Sequence, residues 1–109
     1  ILIIENVGNL VCPASFDLGE TIRAVVLSIT EGDDKPSKYP IIFKDASVVA
    51  LNKIDLLEYT NFDLDSARND LKSINPAVEI METSCTKGIG LEQWCRWLEN
   101  KYLSGREPV

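Results

Sequence analysis

Asn52, Lys53 and Asp55 interrupt an apolar run at the point where a buried strand should end, in the segment NKID. Guanine presents two adjacent donors, the N1 hydrogen and the 2-amino group, and one carboxylate can accept both in a charge-assisted pair. Asp55 has the chemistry for this role, whereas adenine would offer it an acceptor and be repelled. Lys53 would lay its aliphatic stem along the base, and Asn52 would brace a neighbouring loop while reaching the purine edge. The segment therefore predicts a site that reads a purine base.

A second polar loop follows the next predicted strand, and its backbone could donate to the guanine O6. Its residues are Ser84, Cys85, Thr86 and Lys87. The alternative is that Asn52 and Asp55 are ordinary turn and capping residues, as these types often are. A second loop of the right type, one strand later, favours a guanine site. Such a site would reject the wrong base by a factor on the order of 10⁴, because a buried polar group would otherwise stay unpaired.

A third loop carries residues suited to phosphate and metal chemistry. Glu5 and Gly8 follow the apolar run Ile1 to Ile4, and Cys12 lies four residues beyond Gly8. A carboxylate at a strand end can hold Mg²⁺ through water, and a glycine lets a backbone N–H approach a terminal phosphate closely. A thiolate is a good ligand for nickel or zinc. The alternatives are an ordinary loop and a small buried thiol, since one cysteine alone makes no metal site.

The elements that would position these loops alternate along the chain. Four apolar runs predict strands at Ile1 to Ile4, Ala24 to Thr30, Ser47 to Leu51 and Val78 to Thr83. Helices are predicted at Pro36 to Ala46, Phe62 to Asn75 and Leu91 to Tyr102, with Trp94 and Trp97 as core and rim residues of the last. Strands separated by helices indicate an α/β fold with a three-layer, doubly wound, mostly parallel sheet, whose strands are covered on both faces. Ligands of such sheets bind at the carboxyl ends of the strands.

Composition restricts the partners and the compartment. The chain has 17 acidic and 11 basic residues, no histidine and a net charge of -6, which argues against nucleic acid or an anionic membrane as partner. No apolar stretch approaches the length of a membrane span. Cys12, Cys85 and Cys95 form no C-x-x-C pair, which favours reduced thiols and a cytoplasmic protein. Cys85 and Cys95 are expected to be packing residues.

Several motifs resemble those of known GTPases. NKID followed by SCTKG resembles the base-specificity elements of GTP-binding proteins, with Cys85 where many members carry alanine. Glu5 to Gly8 resembles the E-x-x-G form of the Walker B segment in the metal-delivery and targeting (SIMIBI) class. The stretch ENVGNLVCPASFDLGE, together with TEGDDKP and NKIDLL, closely resembles the HypB family of hydrogenase nickel-incorporation GTPases, over nearly the whole chain.

The resemblance implies a fold, an activity and partners. Residues 1–109 would be the C-terminal part of a GTPase domain with a P-loop NTPase fold. The parent protein would bind GTP or GDP with Mg²⁺, hydrolyse GTP, and dimerise with nucleotide. It would deliver nickel to the hydrogenase large subunit with an accessory nickel protein. Glu5 and Gly8 would serve catalysis, and Cys12 would bind nickel or zinc together with ligands absent from this chain.

The phosphate-cradling motif G-x-x-x-x-G-K-[ST] does not occur in these residues. Without this motif, we expect residues 1–109 alone not to hydrolyse GTP. The first residue is not Met and Ile1 to Ile4 is already a strand-like apolar run, so we also expect the chain to continue upstream of Ile1. The rival hypothesis is a non-catalytic metal- or protein-binding module with a residual guanine pocket, using Cys12 and the acidic residues Glu31, Asp33 and Asp34. Such acidic runs are usually solvated loops. A P-loop before Ile1 would favour the enzyme.

Overall fold

The computed structural model describes residues 3–5 and 22–105. Three strands form β1 (Ala24–Ser28), β2 (Val48–Asn52) and β3 (Glu79–Glu82). Four α-helices form α1 (Lys35–Lys38), α2 (Pro40–Lys44), α3 (Leu64–Ile74) and α4 (Leu91–Gly105), and 3₁₀ turns span Ile29–Glu31 and Ile54–Tyr59. The alternation of strands and helices agrees with the sequence pattern.

The three strands pair in parallel in the order β1-β2-β3. Val25 pairs with Val49 and Leu27 with Leu51, so one face of β1 continues onto the same face of β2. That face forms the main core with Ile42, Phe43 and residues of α3. Because all three strands run in one direction, their carboxyl ends lie at one edge of the sheet.

The prediction that the strands are covered on both faces is confirmed for β2, whereas the described residues cover only one face of β1. Val48, Val49, Ala50 and Leu51 are all buried. In β1 the alternate residues Ala24 and Val26 are exposed, Val26 at 60%. The described helices therefore cover β1 on one face, so a continuous apolar run does not by itself show that both faces are buried.

Helix α3 is an amphipathic helix with defined ends. Ala67 and Leu71 are fully buried against the sheet, and Leu64 and Ile74 pack at the margin of the core. Asp63 caps the N-terminus by accepting a hydrogen bond from the backbone of Ser66 at 3.0 Å. At the other end Asn75 donates through Nδ2 to the carbonyl oxygens of Phe43 and Ala46, which joins α3 to α2.

The predicted helix from Pro36 to Ala46 is two short helices that break between Lys38 and Pro40. Proline has no N–H and disfavours a helical conformation in the preceding residue, so Tyr39 leaves the helical region with φ -128° and ψ 59°. The segment nevertheless contributes to the core through Pro36, Ile42 and Phe43, which are all buried.

Helix α4 forms where predicted, but its packing differs from the expectation. None of its side chains from Leu91 to Leu103 is buried. Trp94 and Trp97 are partly exposed and stack on each other, with ring centroids 5.9 Å apart. Both tryptophans are therefore rim residues, and the prediction of a core position in this helix is wrong for the described part of the chain.

The predicted first strand receives no support from the residues that the structure describes. Ile3, Ile4 and Glu5 form no regular secondary structure and are exposed, while Ile1 and Leu2 lie outside the described residues. None of the helices in residues 22–105 has the length and apolar character needed to traverse a bilayer.

Candidate functional site

The first loop of the site begins where β2 ends. Asn52 is the last residue of β2, and Lys53 adopts the left-handed conformation with φ 62° and ψ 35°. Among the described residues it is the only non-glycine residue with positive φ, a conformation that is costly for side chains with a Cβ. The 3₁₀ turn that follows places Asp55 in its first turn. A strained position directly between two candidate base-reading residues is typical of a functional loop.

The second loop begins at the end of β3 and closes on itself. Ser84 and Ile89 exchange two backbone hydrogen bonds, of 2.9 and 3.1 Å, so residues 85–88 form a tight turn. Gly90 then passes against the last residue of β3. A Cβ on Gly90 would lie under 3.0 Å from the carbonyl oxygen of Glu82, so only glycine fits this approach.

Several hydrogen bonds join the two loops. The Thr83 hydroxyl donates to Asn52 Oδ1 at 3.0 Å, and the Ile54 backbone N–H donates to the Thr83 carbonyl at 3.0 Å. The Ser84 hydroxyl donates to Asp55 Oδ1 at 2.7 Å. The structure thus brings together the loops of Asn52 and Ser84, which are separated by a whole helix and strand in the sequence.

Asp55 is held in one orientation by a buried partner. Ser84 is fully buried, whereas Asp55 is half-buried. Its Oδ1 receives the serine hydroxyl, and no described residue donates to its Oδ2. A carboxylate fixed on one side and open on the other is suited to a ligand with two adjacent donors.

Ser84 also organises the turn that follows it. Its Oγ accepts a hydrogen bond from the backbone N–H of Lys87 at 3.3 Å and lies 3.4 Å from Thr86 Oγ1. The backbone N–H groups of Cys85 and Thr86 make no hydrogen bond within the described residues. The turn can therefore offer the N–H groups of Cys85 and Thr86 to an incoming carbonyl oxygen, while that of Lys87 already donates to Ser84 Oγ.

The remaining side chains of the site lie at the surface. Lys53, Cys85, Thr86 and Lys87 are exposed. The Cys85 thiol lies 3.6 Å from Asn52 Oδ1 and donates to it. Cys95 on α4 is exposed as well, so the prediction that Cys85 and Cys95 are packing residues is wrong.

Thr83 is a site residue that the sequence analysis did not single out. It is 4% exposed, and it contacts the NKID loop through both its hydroxyl and its carbonyl oxygen. Only the β2–β3 register, in which Leu51 pairs with Glu82, places Thr83 beside Asn52. A parallel register cannot be read from the order of residues along the chain.

The phosphate and metal residues are less well defined. Glu5 is exposed, and Gly8 and Cys12 lie outside the described residues. Residues 3–5 and 22–105 contain no group of three or more His, Cys, Asp or Glu that could hold a metal ion. Within the acidic run, Asp33 accepts a hydrogen bond from the backbone of Asp63 at 2.7 Å and Asp34 pairs with Lys38 at 3.6 Å. Both aspartates thus have structural partners.

Comparison with known proteins shows the family to which the chain belongs. Residues 1–82 match the family model described as CobW/HypB/UreG, nucleotide-binding domain. The hydrogenase maturation factor HypB of Escherichia coli K12 is 56% identical over 101 residues, which cover 93% of this chain and 35% of that protein. A probable HypB of Methanocaldococcus jannaschii is 46% identical over 99 residues, covering 91% of this chain and 45% of its own length. The chain spans less than half of these relatives.

Solved structures show the same fold. A crystal structure of HypB from Archaeoglobus fulgidus has a TM-score of 0.81 and 43% identity, covering 84% of this chain and 50% of that one. HypB from Helicobacter pylori in complex with nickel has a TM-score of 0.86 and 35% identity, covering 94% and 47%. The α/β fold with a parallel sheet, as part of a larger domain, is thereby confirmed. The chain belongs to the CobW/HypB/UreG family of nucleotide-binding domains.

Proposed function

We propose that the chain is the guanine-reading part of a cytoplasmic, GTP-hydrolysing metallochaperone that inserts nickel during maturation of nickel–iron hydrogenase. The observation that carries the proposal is the 2.7 Å hydrogen bond from the buried Ser84 hydroxyl to Asp55 Oδ1. It joins the two loops whose sequences resemble base-specificity elements and orients the carboxylate that would discriminate between bases.

The base would be recognised on three sides. Asp55 accepts the N1 hydrogen and the 2-amino group, and the free N–H groups of Cys85 and Thr86 donate to O6. The exposed Lys53 covers the base with its aliphatic stem. Asn52 braces the second loop through its Oδ1, which accepts from Thr83 and Cys85.

The phosphate end of GTP would require Glu5 and Gly8. An exposed carboxylate that holds an ion through water suits Mg²⁺, which retains several of its waters in protein sites. When bound, Mg²⁺ would neutralise charge on the phosphate oxygens. Gly8 would let a backbone N–H approach the terminal phosphate.

Nickel is the cargo, and Cys12 is its proposed ligand in this chain. One thiolate does not complete a nickel or zinc site, and the chain has no histidine, so the other ligands would come from outside it or from a second copy in a homodimer. The structure of the Helicobacter pylori relative is that of a complex with nickel, which supports nickel as the metal. The hydrogenase large subunit and an accessory nickel protein are the proposed partners.

The test of guanine recognition is the Asp55→Asn variant of the full-length gene product. An amide donates where the carboxylate accepted, so the variant should match the 2-carbonyl of xanthine instead of the 2-amino group of guanine. We expect GDP affinity to fall roughly a hundredfold or more and XDP affinity to rise. The measurement is competition of each nucleotide against a fluorescent analogue.

Asp65→Asn is the matched control, because Asp65 is exposed on α3 and the same change there should leave both affinities unaltered. If Asp55→Asn kept the wild-type preference for GDP, Asp55 would not contact the base, and the proposed mode of recognition would be wrong. A wild-type protein that binds no guanine nucleotide would instead favour a non-catalytic metal- or protein-binding module.

A further inference from the structure

We infer that the ion pair between Arg68 of α3 and Glu82 of β3 positions the guanine loop and thereby contributes to base discrimination. The inference rests on the proposed function, since it concerns the same site. Neither residue belongs to the motifs NKID or SCTKG, and neither lies in the site itself. Arg68 Nη2 donates to Glu82 Oε2 across the gap between helix and sheet.

The position of Glu82 makes the pair relevant to the site. Glu82 is the last residue of β3, and the next two residues are Thr83 and Ser84, which hold Asn52 and Asp55. Its side chain is held from α3, while its backbone carbonyl is in close contact with Gly90 at the end of the loop. Glu82 is therefore fixed on two sides immediately before the residues that read the base.

A displacement of Glu82 would affect Asp55 through two hydrogen bonds. Thr83 accepts from the Ile54 backbone at 3.0 Å, and Ile54 directly precedes Asp55. Ser84 donates to Asp55 Oδ1 at 2.7 Å, close to the optimum for a hydroxyl and a carboxylate. If the end of β3 moved by a few tenths of an ångström, both the turn that carries Asp55 and the bond that orients it would change.

The surroundings of the pair fit a positioning role. The side chains of Arg68 and Glu82 are 36% and 37% exposed, so the pair is partly shielded from water. The other Arg–Glu pair in the described part of the chain, Arg96 with Glu92 on α4, is 73% and 80% exposed. An exposed pair within one helix adds little, whereas a pair that joins a helix to a strand restrains two elements relative to each other. Helix α3 is itself anchored to the sheet, because Ala67 and Leu71 on its core-facing side are fully buried.

The readout that separates positioning from simple stability is the ratio of GDP to IDP affinity. Hypoxanthine lacks the 2-amino group, so IDP can make only one of the two hydrogen bonds to Asp55. A misaligned Asp55 weakens GDP more than IDP, whereas a general loss of folded protein weakens both by the same factor.

The experiment uses Arg68→Gln, Glu82→Gln and the double variant of the full-length gene product. GDP and IDP dissociation constants and thermal unfolding are measured for each. We expect each single variant to lower the GDP preference over IDP by about two- to fivefold, as is typical of one partly shielded ion pair. The double variant should be no worse than either single variant, because the two residues act through one interaction. Glu82→Asp, which keeps the carboxylate but shortens its reach, should give an intermediate loss.

Arg96→Gln and Glu92→Gln are the matched controls, since they remove the same chemical pair from an exposed helix surface. Equal loss of GDP and IDP affinity in the Arg68 and Glu82 variants, or no loss at all, would overturn the inference. Asp55→Asn distinguishes this failure from failure of the proposed function. If Asp55→Asn shifts the base preference while the ion-pair variants do not, only the positioning role is lost.

Discussion

At the scale of single residues, the buried hydroxyl of Ser84 has the most contacts within the candidate site. Ser84 is fully buried, donates to Asp55 Oδ1 and accepts from the Lys87 backbone, so it links the carboxylate proposed to read the base to the turn beside it. A hydrogen bond to a charged acceptor is worth more than one between neutral groups. Lys53, in its left-handed conformation, adds a strained residue to the loop that carries Asp55.

Ser84→Ala should weaken GDP binding by about tenfold, since the variant removes a charge-assisted hydrogen bond that orients Asp55. The loss should be smaller for IDP, which uses fewer of the bonds to Asp55. Isothermal titration with the two nucleotides measures both effects. Ser73→Ala, at an exposed position of α3, is the control and should bind as wild type. Unaltered GDP affinity in Ser84→Ala would show that Asp55 needs no serine to hold it.

At the scale of elements, the turn after β3 depends on two glycines that differ in their surroundings. Gly88 and Gly90 have nearly the same backbone, with φ 72° and 73°. A Cβ on Gly88 would meet no atom within 4 Å, whereas a Cβ on Gly90 would lie under 3.0 Å from the backbone oxygen of Glu82. A residue with a Cβ would be strained by the positive φ at either position, but only at Gly90 would its Cβ also collide with the backbone.

Gly88→Ala should therefore cost about 1 kcal/mol in the free energy of unfolding, which is the usual cost of a left-handed conformation for alanine. Gly90→Ala should cost at least about 2 kcal/mol more, because β3 or the start of α4 must move away from the new methyl group. Urea unfolding of the two variants measures the difference. Equal losses would show that the turn adjusts freely and that Glu82 is not in close contact with it.

At the scale of the whole molecule, the described residues form a parallel sheet whose loops gather at one edge. The loops after β2 and β3 carry all of the described residues of the proposed base site, as the rule for open parallel sheets requires. The other face of β1 leaves Val26 60% exposed, and α4 has no buried side chain among its described residues. The fold positions the proposed base pocket even though part of the apolar surface is exposed among the described residues.

Residues 1–109 alone should show no magnesium-dependent release of phosphate from GTP above the uncatalysed rate. The sequence has no G-x-x-x-x-G-K-[ST] segment, so no loop of that type is present to cradle the phosphates and place Mg²⁺. A coupled phosphate assay with GTP and Mg²⁺ checks this, and the full-length gene product is the comparison. Turnover by the 109-residue chain would mean that another part of it binds the phosphates.

The sequence by itself determined the order of elements and the residues that carry the candidate chemistry. Apolar runs and helical spacing located β1–β3, α3 and α4, because these signals arise from short stretches that each bury one face. NKID and SCTKG identified Asn52, Asp55 and Ser84 from side-chain chemistry and loop type alone.

Only the tertiary structure decided which of these groups meet. The bond from Ser84 to Asp55, the place of Thr83 beside Asn52 and the pair of Arg68 with Glu82 all depend on strand register and helix docking. The exposure of Val26 and Cys85 and the partial exposure of Trp94 were likewise not predictable, since an apolar residue or a thiol is buried only if another element covers it. The periodicity of apolar residues shows which side chains lie on one face of a helix or strand. Contacts between distant segments depend on how these elements pack.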